Sequence, residues 1–384
     1  MTRKRLSLFG STGSIGRRTL DVARDYPDDF AIVALSAGRN ARLLHEQIRE
    51  FKPQAACLAE PSLAAEAEAI ARDTGVPVYC GAEGLLRLAR EFAGDMAVMA
   101  TVGFAGLFPS LAALESGADL ALANKEVLVT AGDLVTARAK ELGRQILPID
   151  SEHNAIFQCL DGMRAEGVRR LILTASGGPF RRATVSQLAQ VTREQALAHP
   201  TWEMGQKITI DSSTLMNKGF EAIEAHHLFC VPMEQIDVVI HPQSTVHSMV
   251  EFIDGSILAQ LGRTDMYLPI QNILFHPQRR ANSLAPLDFT ALRVLEFEPP
   301  DLERFPCLTL AYDASRVGGT MPAVLNAANE VAVARFLHNE IRYLDIPALI
   351  RAVLDEHQNT PNPSLDDIRL ADEWARQRAR NHGI

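Results

Sequence analysis

The sequence predicts an α/β protein with three parts: an N-terminal doubly wound parallel sheet, an α+β central domain and an all-α C-terminal domain. Three observations carry that expectation. Over the first 150 residues, short apolar runs alternate with amphipathic stretches, as in βαβ units whose sheet is covered on both faces; this is a Rossmann-like arrangement. From about 151 to 275, strand-like runs mix with helices and a Gly/Pro-rich loop. After about 306 the pattern is almost wholly helical, broken at 318–319, 345–347 and 361–363 by Gly- and Pro-containing pieces.

The elements follow in order. Residues 6–9, 31–35, 55–58, 96–100, 120–123 and 145–149 are apolar runs of strand length, and 15–25, 41–51 and 63–74 are helical patterns between them. The first domain is therefore expected over 1–150. The second, over 151–275, has strand-like runs at 170–174, 238–240, 244–252 and 256–260. Segment 276–305 has prolines at 277, 286, 299 and 300 and little periodicity, so it reads as a linker before the helical domain of 306–384. A length of 384 residues agrees with two or three domains.

Composition excludes several classes. With 47% hydrophobic and 22% charged residues the chain supports a full core, which excludes disorder and a disulfide-stapled mini-domain. A net charge of −9 argues against broad nucleic-acid binding, so any anionic ligand needs a local positive site. The five cysteines, at 57, 80, 159, 230 and 307, form no CxxC, which points to a reducing compartment and away from structural zinc. The basic start meets glycines before a signal-peptide core can form. Residues 96–114 carry no charge, but Gly103, Gly106, Pro109 and Ser110 divide them into strand, turn and helix, not a membrane span. The chain is expected to be soluble and cytoplasmic.

The run over 6–9 leads straight into Gly10-Ser-Thr-Gly13-Ser-Ile-Gly16 and then an amphipathic helix. A strand, a glycine turn and a helix N-terminus suit a pyrophosphate, because free N–H groups and the helix dipole meet there. The spacing is GxxGxxG, not the commoner GxGxxG, and a tight β–α turn without ligand shares it. The second strand ends in Ser36-Ala-Gly38-Arg39-Asn40, without the carboxylate that an NAD ribose usually finds. Arg39 instead offers a cation to a 2′-phosphate, so the expected cofactor is NADP(H).

The run over 145–149 ends in Asp150-Ser151-Glu152. In an extended chain residues i and i+2 face one side, so the two carboxylates are expected to converge on Mg²⁺ or Mn²⁺. Taken alone, Asp-x-Glu reads as a solvated acidic loop. A short strand is expected to end at Asp211-Ser212, and a helix follows on which Asn217, Lys218 and Glu221 share a face. A lysine and a serine near a helix N-terminus suit a phosphate monoester; taken alone, Lys218 and Glu221 read as a surface ion pair. The Ser176-Gly177-Gly178 loop, followed by His199, Trp202, Met204 and Gly205, reads as a lid or as a loop anchored by its tryptophan.

These stretches, with ANKE (123–126), PIDSEHNA (148–155), ASGGPF (175–180), the long run 199–221, HPQSTVHSMVEF (241–252) and LNAANEVAV (325–333), resemble the 1-deoxy-D-xylulose 5-phosphate reductoisomerases over nearly the whole chain. These are homodimeric NADPH-dependent enzymes of non-mevalonate isoprenoid biosynthesis. Where the family usually has lysine, this chain has Arg39, which keeps the charge. The resemblance implies catalytic roles for Lys125, Asp150, Glu152 and Glu221, the last three holding Mg²⁺ or Mn²⁺, with Co²⁺ as a further option. It implies a phosphate pocket of Ser176, His199, Ser212, Asn217 and Lys218, with Ser151 and Lys125 near substrate hydroxyls and Trp202 and Met204 as cover. It implies NADPH contacts from Thr12, Gly13, Ser14, Ile15, Gly38, Arg39, Asn40, Asn124, Glu126 and Gly205. A metal-free dehydrogenase and a non-enzymatic NADP(H) sensor would share the nucleotide motif but leave the polar set from Ser176 to Glu221 unexplained.

Overall fold

The computed structural model describes residues 3–161, 167–198, 202 and 204–383. They form two compact units, Met1–Val127 with Leu134–Asn154 and Asp265–Asn282, and Leu128–Asp133 with Ala155–Thr264 and Ser283–Ile384.

The first unit holds a seven-stranded sheet of β1 (Lys4–Phe9), β2 (Phe30–Ala37), β3 (Ala55–Leu58), β4 (Val78–Cys80), β5 (Met96–Met99), β6 (Asp119–Leu122) and β7 (Ile146–Pro148). Every residue of β3 and β5 is buried, which is why these strands read as unbroken apolar runs: a parallel sheet is covered on both faces. The order is β4-β3-β2-β1-β5-β6-β7 and every pairing is parallel. Order runs outward both ways from β1, so the switch point lies between β1 and β5, where such sheets open a crevice at their carboxyl ends. Six helices alternate with the strands: α1 (Ser14–Asp25), α2 (Ala41–Phe51), α3 (Ala64–Thr74), α4 (Gly81–Glu91), α5 (Leu107–Glu115) and α6 (Glu126–Glu141). Helix α7 (Ser151–Cys159) follows β7.

The short edge strand β4 had no expectation behind it, since its three residues are only half-buried. A second difference concerns 265–282, expected partly in the central region and partly in the linker. These residues pack with the first unit. Arg18 pairs with Asp265 at 3.0 Å, and Tyr267 donates to Asp25 at 2.7 Å. Phe275 lies edge-on to Tyr26 and Phe30 at 4.8 and 4.7 Å. Such complementarity between distant segments leaves no periodic signal.

The second unit contains a mixed sheet of β8 (Val168–Ala175), β9 (Ile236–Ile240), β10 (Val246–Phe252) and β11 (Ile257–Leu261) in the order β11-β10-β8-β9. β8 and β9 are parallel, and β10 runs antiparallel to β8 and β11. Around it lie α8 (Val185–Leu188), α9 (Arg193–Leu197), α10 (Gln206–Ser213) and α11 (Met216–Phe229). In the first unit, α12 (Tyr267–Phe275) lies within the returning segment; the short α13 (Phe289–Leu292) lies in the stretch expected as a linker. The helical end comprises α14 (Cys307–Val317), α15 (Met321–Leu337), α16 (Asp345–Glu356) and α17 (Leu365–Asn381), as its pattern predicts. One core cluster joins the sheet and these helices, from Leu171 and Leu173 through Phe220 and Ala311 to Ala328 and Ile350.

Candidate functional site

The candidate residues divide between the two units, and each set is built here within its own unit. In the first, Gly10 adopts φ of 91°, and a Cβ there would lie 2.3 Å from the Ala100 carbonyl oxygen, so only glycine turns the chain at this point. The backbone N–H groups of Gly10 and Ser11 both donate to the Ser36 carbonyl, which fastens the turn to the end of β2. Gly16 is the close-packing glycine: its Cβ would meet the Gly10 carbonyl oxygen at 2.2 Å. Gly13 has room and is the N-cap of α1, with no side-chain cap on the helix's first N–H groups. An uncapped helix start with Thr12, Gly13, Ser14 and Ile15 on it suits an anionic diphosphate.

After β2, Gly38 is exposed and Asn40 caps α2, accepting from Leu43 N at 3.1 Å. The Arg39 guanidinium is 85% exposed and donates to Glu60 at 2.9 Å. That hydrogen bond holds the Glu60 carboxyl below the usual range. After β6, Asn124 is buried and donates to Thr101 Oγ1 and the Gly103 carbonyl, both at 3.0 Å. Lys125 occupies the N-cap position of α6 without a side-chain cap, and Glu126 opens the helix; both are buried. The Lys125 ammonium pairs directly with the Asp150 carboxylate.

Asp150 and Glu152 do not share an extended segment, which corrects the expected geometry. β7 ends at Pro148, and the chain turns into α7 at Ser151. Asp150 therefore stands just before a helix N-terminus, its Oδ1 accepting from Ser151 N at 3.0 Å, and Glu152 lies in the first turn. Ser151 Oγ donates to Glu152 Oε2 at 2.6 Å. Carboxylates at this end of a helix are stabilised by its dipole and first N–H groups.

In the second unit, Ser176 follows β8 at the foot of the Gly177-Gly178 turn and accepts from Gly178 N at 3.2 Å. Both glycines have positive φ, 82° and 64°. A Cβ on Gly178 would sit 3.1 Å from the Ser212 carbonyl oxygen, so this turn lies against the carboxyl end of α10, which carries Ser212. Residues 207–212 are helical, not the short strand expected to end at Asp211-Ser212; Ile210 and Asp211 are both buried, whereas a strand with one solvated face would bury only one of two successive residues. Leu215, at φ of 61°, separates α10 from α11.

On α11 the sharing of one face by Asn217, Lys218 and Glu221 holds, but not at the surface. Lys218 is 4% exposed and Glu221 1%. Asn217 Nδ2 donates to Glu221 Oε1 at 2.5 Å, and the Lys218 ammonium hydrogen-bonds Glu221 Oε2. Gly219, between them, lets α11 approach α14, since a Cβ there would lie 2.4 Å from Ala311 Cβ. Trp202 and Met204 are half-buried, and exposed Gly205 is the N-cap of α10. His199 lies outside the described residues.

Among the buried ionisable residues without an assigned role in the sequence reading, three neighbour the candidate site residues in sequence: His153 and Glu224, fully buried, and Asp211, 1% exposed. The available signal was positional: each lies within three residues of a candidate ligand on the same helix.

Three family profiles match the chain. They are described as 1-deoxy-D-xylulose 5-phosphate reductoisomerase over residues 6–132, that enzyme's C-terminal domain over 146–229, and the DXP reductoisomerase C-terminal domain over 261–378. Proteins named 1-deoxy-D-xylulose 5-phosphate reductoisomerase from Prosthecochloris aestuarii and Moorella thermoacetica are 51% and 53% identical over 376 residues. These alignments cover 98% of this chain in both cases, and 98% and 97% of the relatives. The Zymomonas mobilis enzyme solved with NADPH superposes with TM-score 0.91 at 45% identity, covering 98% of both chains. A DOX-P reductoisomerase solved with NADPH, fosmidomycin and magnesium reaches TM-score 0.94 at 42% identity, covering 98% of this chain and 97% of that one.

Proposed function

The chain belongs to the 1-deoxy-D-xylulose 5-phosphate reductoisomerase family, and on that premise we propose which of its residues carry the reaction. The protein is an NADPH- and divalent-metal-dependent enzyme of isoprenoid precursor biosynthesis. It rearranges and reduces 1-deoxy-D-xylulose 5-phosphate to 2-C-methyl-D-erythritol 4-phosphate.

Asp150, Glu152 and Glu221 are the metal ligands in this reading. The donor set fits: all three offer hard carboxylate oxygens, which suit Mg²⁺ or Mn²⁺. A divalent ion held by them supplies a Lewis acid to the substrate's carbonyl and hydroxyl oxygens. The single observation that carries the reading is the burial of Glu221 between Asn217 and Lys218, because an ionised carboxylate is buried only with charge and hydrogen-bond partners.

Ser176, Ser212, Asn217 and Lys218, with His199, bind the phosphate, where a charge-assisted hydrogen bond contributes about twice a neutral one. Lys125, paired with Asp150, and Ser151 orient the substrate hydroxyls. Trp202 and Met204 exclude water when the lid closes. In the first unit Thr12, Gly13, Ser14 and Ile15 hold the diphosphate, with Gly38, Asn40, Asn124 and Glu126 as further contacts, and Gly205 of the second unit is a further cofactor contact in this reading. Arg39 takes the 2′-phosphate. Bound NADPH supplies the hydride that the reduction consumes.

We also assign a homodimer and a cytoplasmic location. Support for the first is the exposed edge strand β11, with Ile257 and Leu258 on it and Ile253 beside it, an apolar edge of the kind that association covers. The second rests on five free cysteines. Among the described residues, no helix is long and apolar enough to cross a membrane.

The test is NADPH oxidation with 1-deoxy-D-xylulose 5-phosphate and Mg²⁺, with and without EDTA, followed by product identification. Absorbance loss that EDTA stops supports the assignment. Turnover that survives EDTA overturns the metal site.

A further inference from the structure

The LNAANEVAV run has no role so far, yet it holds two fully buried amides, Asn326 and Asn329. Asn329 of α15 is flanked by buried Ala327, Ala328, Val331 and Ala332. Its Nδ2 donates to Asp211 Oδ1 at 2.8 Å, across 118 residues of chain. Its own carbonyl oxygen, also buried, has no hydrogen-bond partner among the described residues. The amide is thus placed for Asp211 at the expense of its other end.

Asp211 passes the constraint on. Its Oδ2 pairs with Lys207 Nζ at 2.8 Å, one turn earlier on α10, and that ammonium lies 4.9 Å from the Phe220 ring centroid. Tyr343 OH donates to the Ser213 carbonyl at 2.6 Å, a second tie between the helical end of the chain and α10. Ser212 lies between the two tied residues, and its carbonyl faces Gly178 of the Ser176 turn.

We propose that Asn329 is a positioning residue for phosphate binding: through Asp211 it fixes α10 and so sets the places of Ser212 and Lys207. The inference rests on the reading that Ser212 binds the substrate phosphate. Asn329 touches no ligand itself; it keeps a buried carboxylate satisfied, and that carboxylate holds the helix that carries the serine.

Asn329→Asp is the discriminating variant. It keeps the shape, but the new carboxyl can donate to Asp211 only while protonated. In the NADPH-loaded enzyme, calorimetric affinity for inorganic phosphate, taken relative to wild type at each pH, should stay close to wild type near about pH 5 and weaken about ten-fold by about pH 8. KM for the sugar phosphate should rise in parallel while kcat moves less. Asn329→Ala should show the weaker affinity at every pH and decides the matter if the aspartate variant does not fold. Ser212→Ala separates the two levels. If it weakens phosphate binding while the Asn329 variants match wild type at every pH, or lower only the melting temperature, the positioning role is overturned. If Ser212→Ala binds phosphate like wild type, the pocket assignment beneath it fails instead.

Discussion

Glu221→Gln tests the metal assignment most directly. The change removes one charge and one hard donor but keeps the side chain's length. A bound divalent ion stabilises developing negative charge by several kcal/mol; losing about 4 kcal/mol at 1.36 kcal/mol per decade slows turnover on the order of a thousand-fold. The fold should survive. Lys218 can donate to the new amide oxygen, and Asn217 can turn its own amide so that its oxygen accepts from the new NH2, but the buried ammonium loses its counter-charge at a cost of roughly 3–5 kcal/mol. In a unit of this size that lowers Tm by about 6–20 °C. NADPH affinity should stay near wild type, because the proposed nucleotide contacts lie mainly on β1, β2 and their following loops. The assays are steady-state NADPH oxidation at saturating Mg²⁺, NADPH fluorescence titration and scanning calorimetry. Turnover within ten-fold of wild type would remove Glu221 from the metal site, and a Tm loss beyond about 20 °C would refute the stability arithmetic.

Arg39→Asp should leave Tm unchanged, since its pair with Glu60 is exposed and such pairs contribute little; NADPH affinity should fall at least about ten-fold with a shift toward NADH, and unchanged cofactor preference would remove Arg39 from the site. Gly219→Ala places a Cβ 2.4 Å from Ala311 Cβ; the overpacking of roughly 1–3 kcal/mol should outweigh the better helix propensity of alanine, which a rise in Tm would contradict. Burial holds the His357 imidazole below its usual 6.5. The unfolded chain then takes up that proton first, so stability falls as pH drops below about 6.5. Urea midpoints for His357→Gln should decline less over that range than those of wild type; parallel slopes would exclude this histidine as a source.

The parallel sheet is legible in the sequence because burial on both faces leaves strands such as β3 and β5 apolar at every position. Helix α2 is legible for a different reason: its apolar stripe is bounded by Asn40 as cap and a left-handed Lys52. Where physics is non-local, the pattern fails. The Lys207–Asp211 stretch alternates polar and apolar residues like a strand, yet folds as α10, because its buried positions include Asp211, which is satisfied by Asn329 and Lys207. Local propensity cannot anticipate a partner 118 residues away. The Asp150–Glu152 pair misleads similarly: the strand ends at Pro148, and the following residues turn at once into α7.

Among the candidate ligands, the chemistry is written locally and the environment is not. Asn217, Lys218 and Glu221 share a face at spacings any helix would give, and on a solvated helix that arrangement contributes only about 0.2–0.5 kcal/mol per pair. The same three residues become a different object when α11 is sunk between α14 and β9, because the ammonium and carboxylate then have no water to compete with. That sinking depends on Gly219, whose missing side chain admits Ala311, and on a helix that begins 88 residues further along the chain. Motif reading finds the groups that touch a ligand, since their types and spacing are fixed by the ligand's chemistry. It passes over the residues that bury and hold them, since an alanine or an asparagine inside a helix carries no mark of what it faces. For this reason the substitutions that probe packing and positioning fall on Gly219 of α11 and Asn329 of α15, residues whose types suggest neither a phosphate nor a metal.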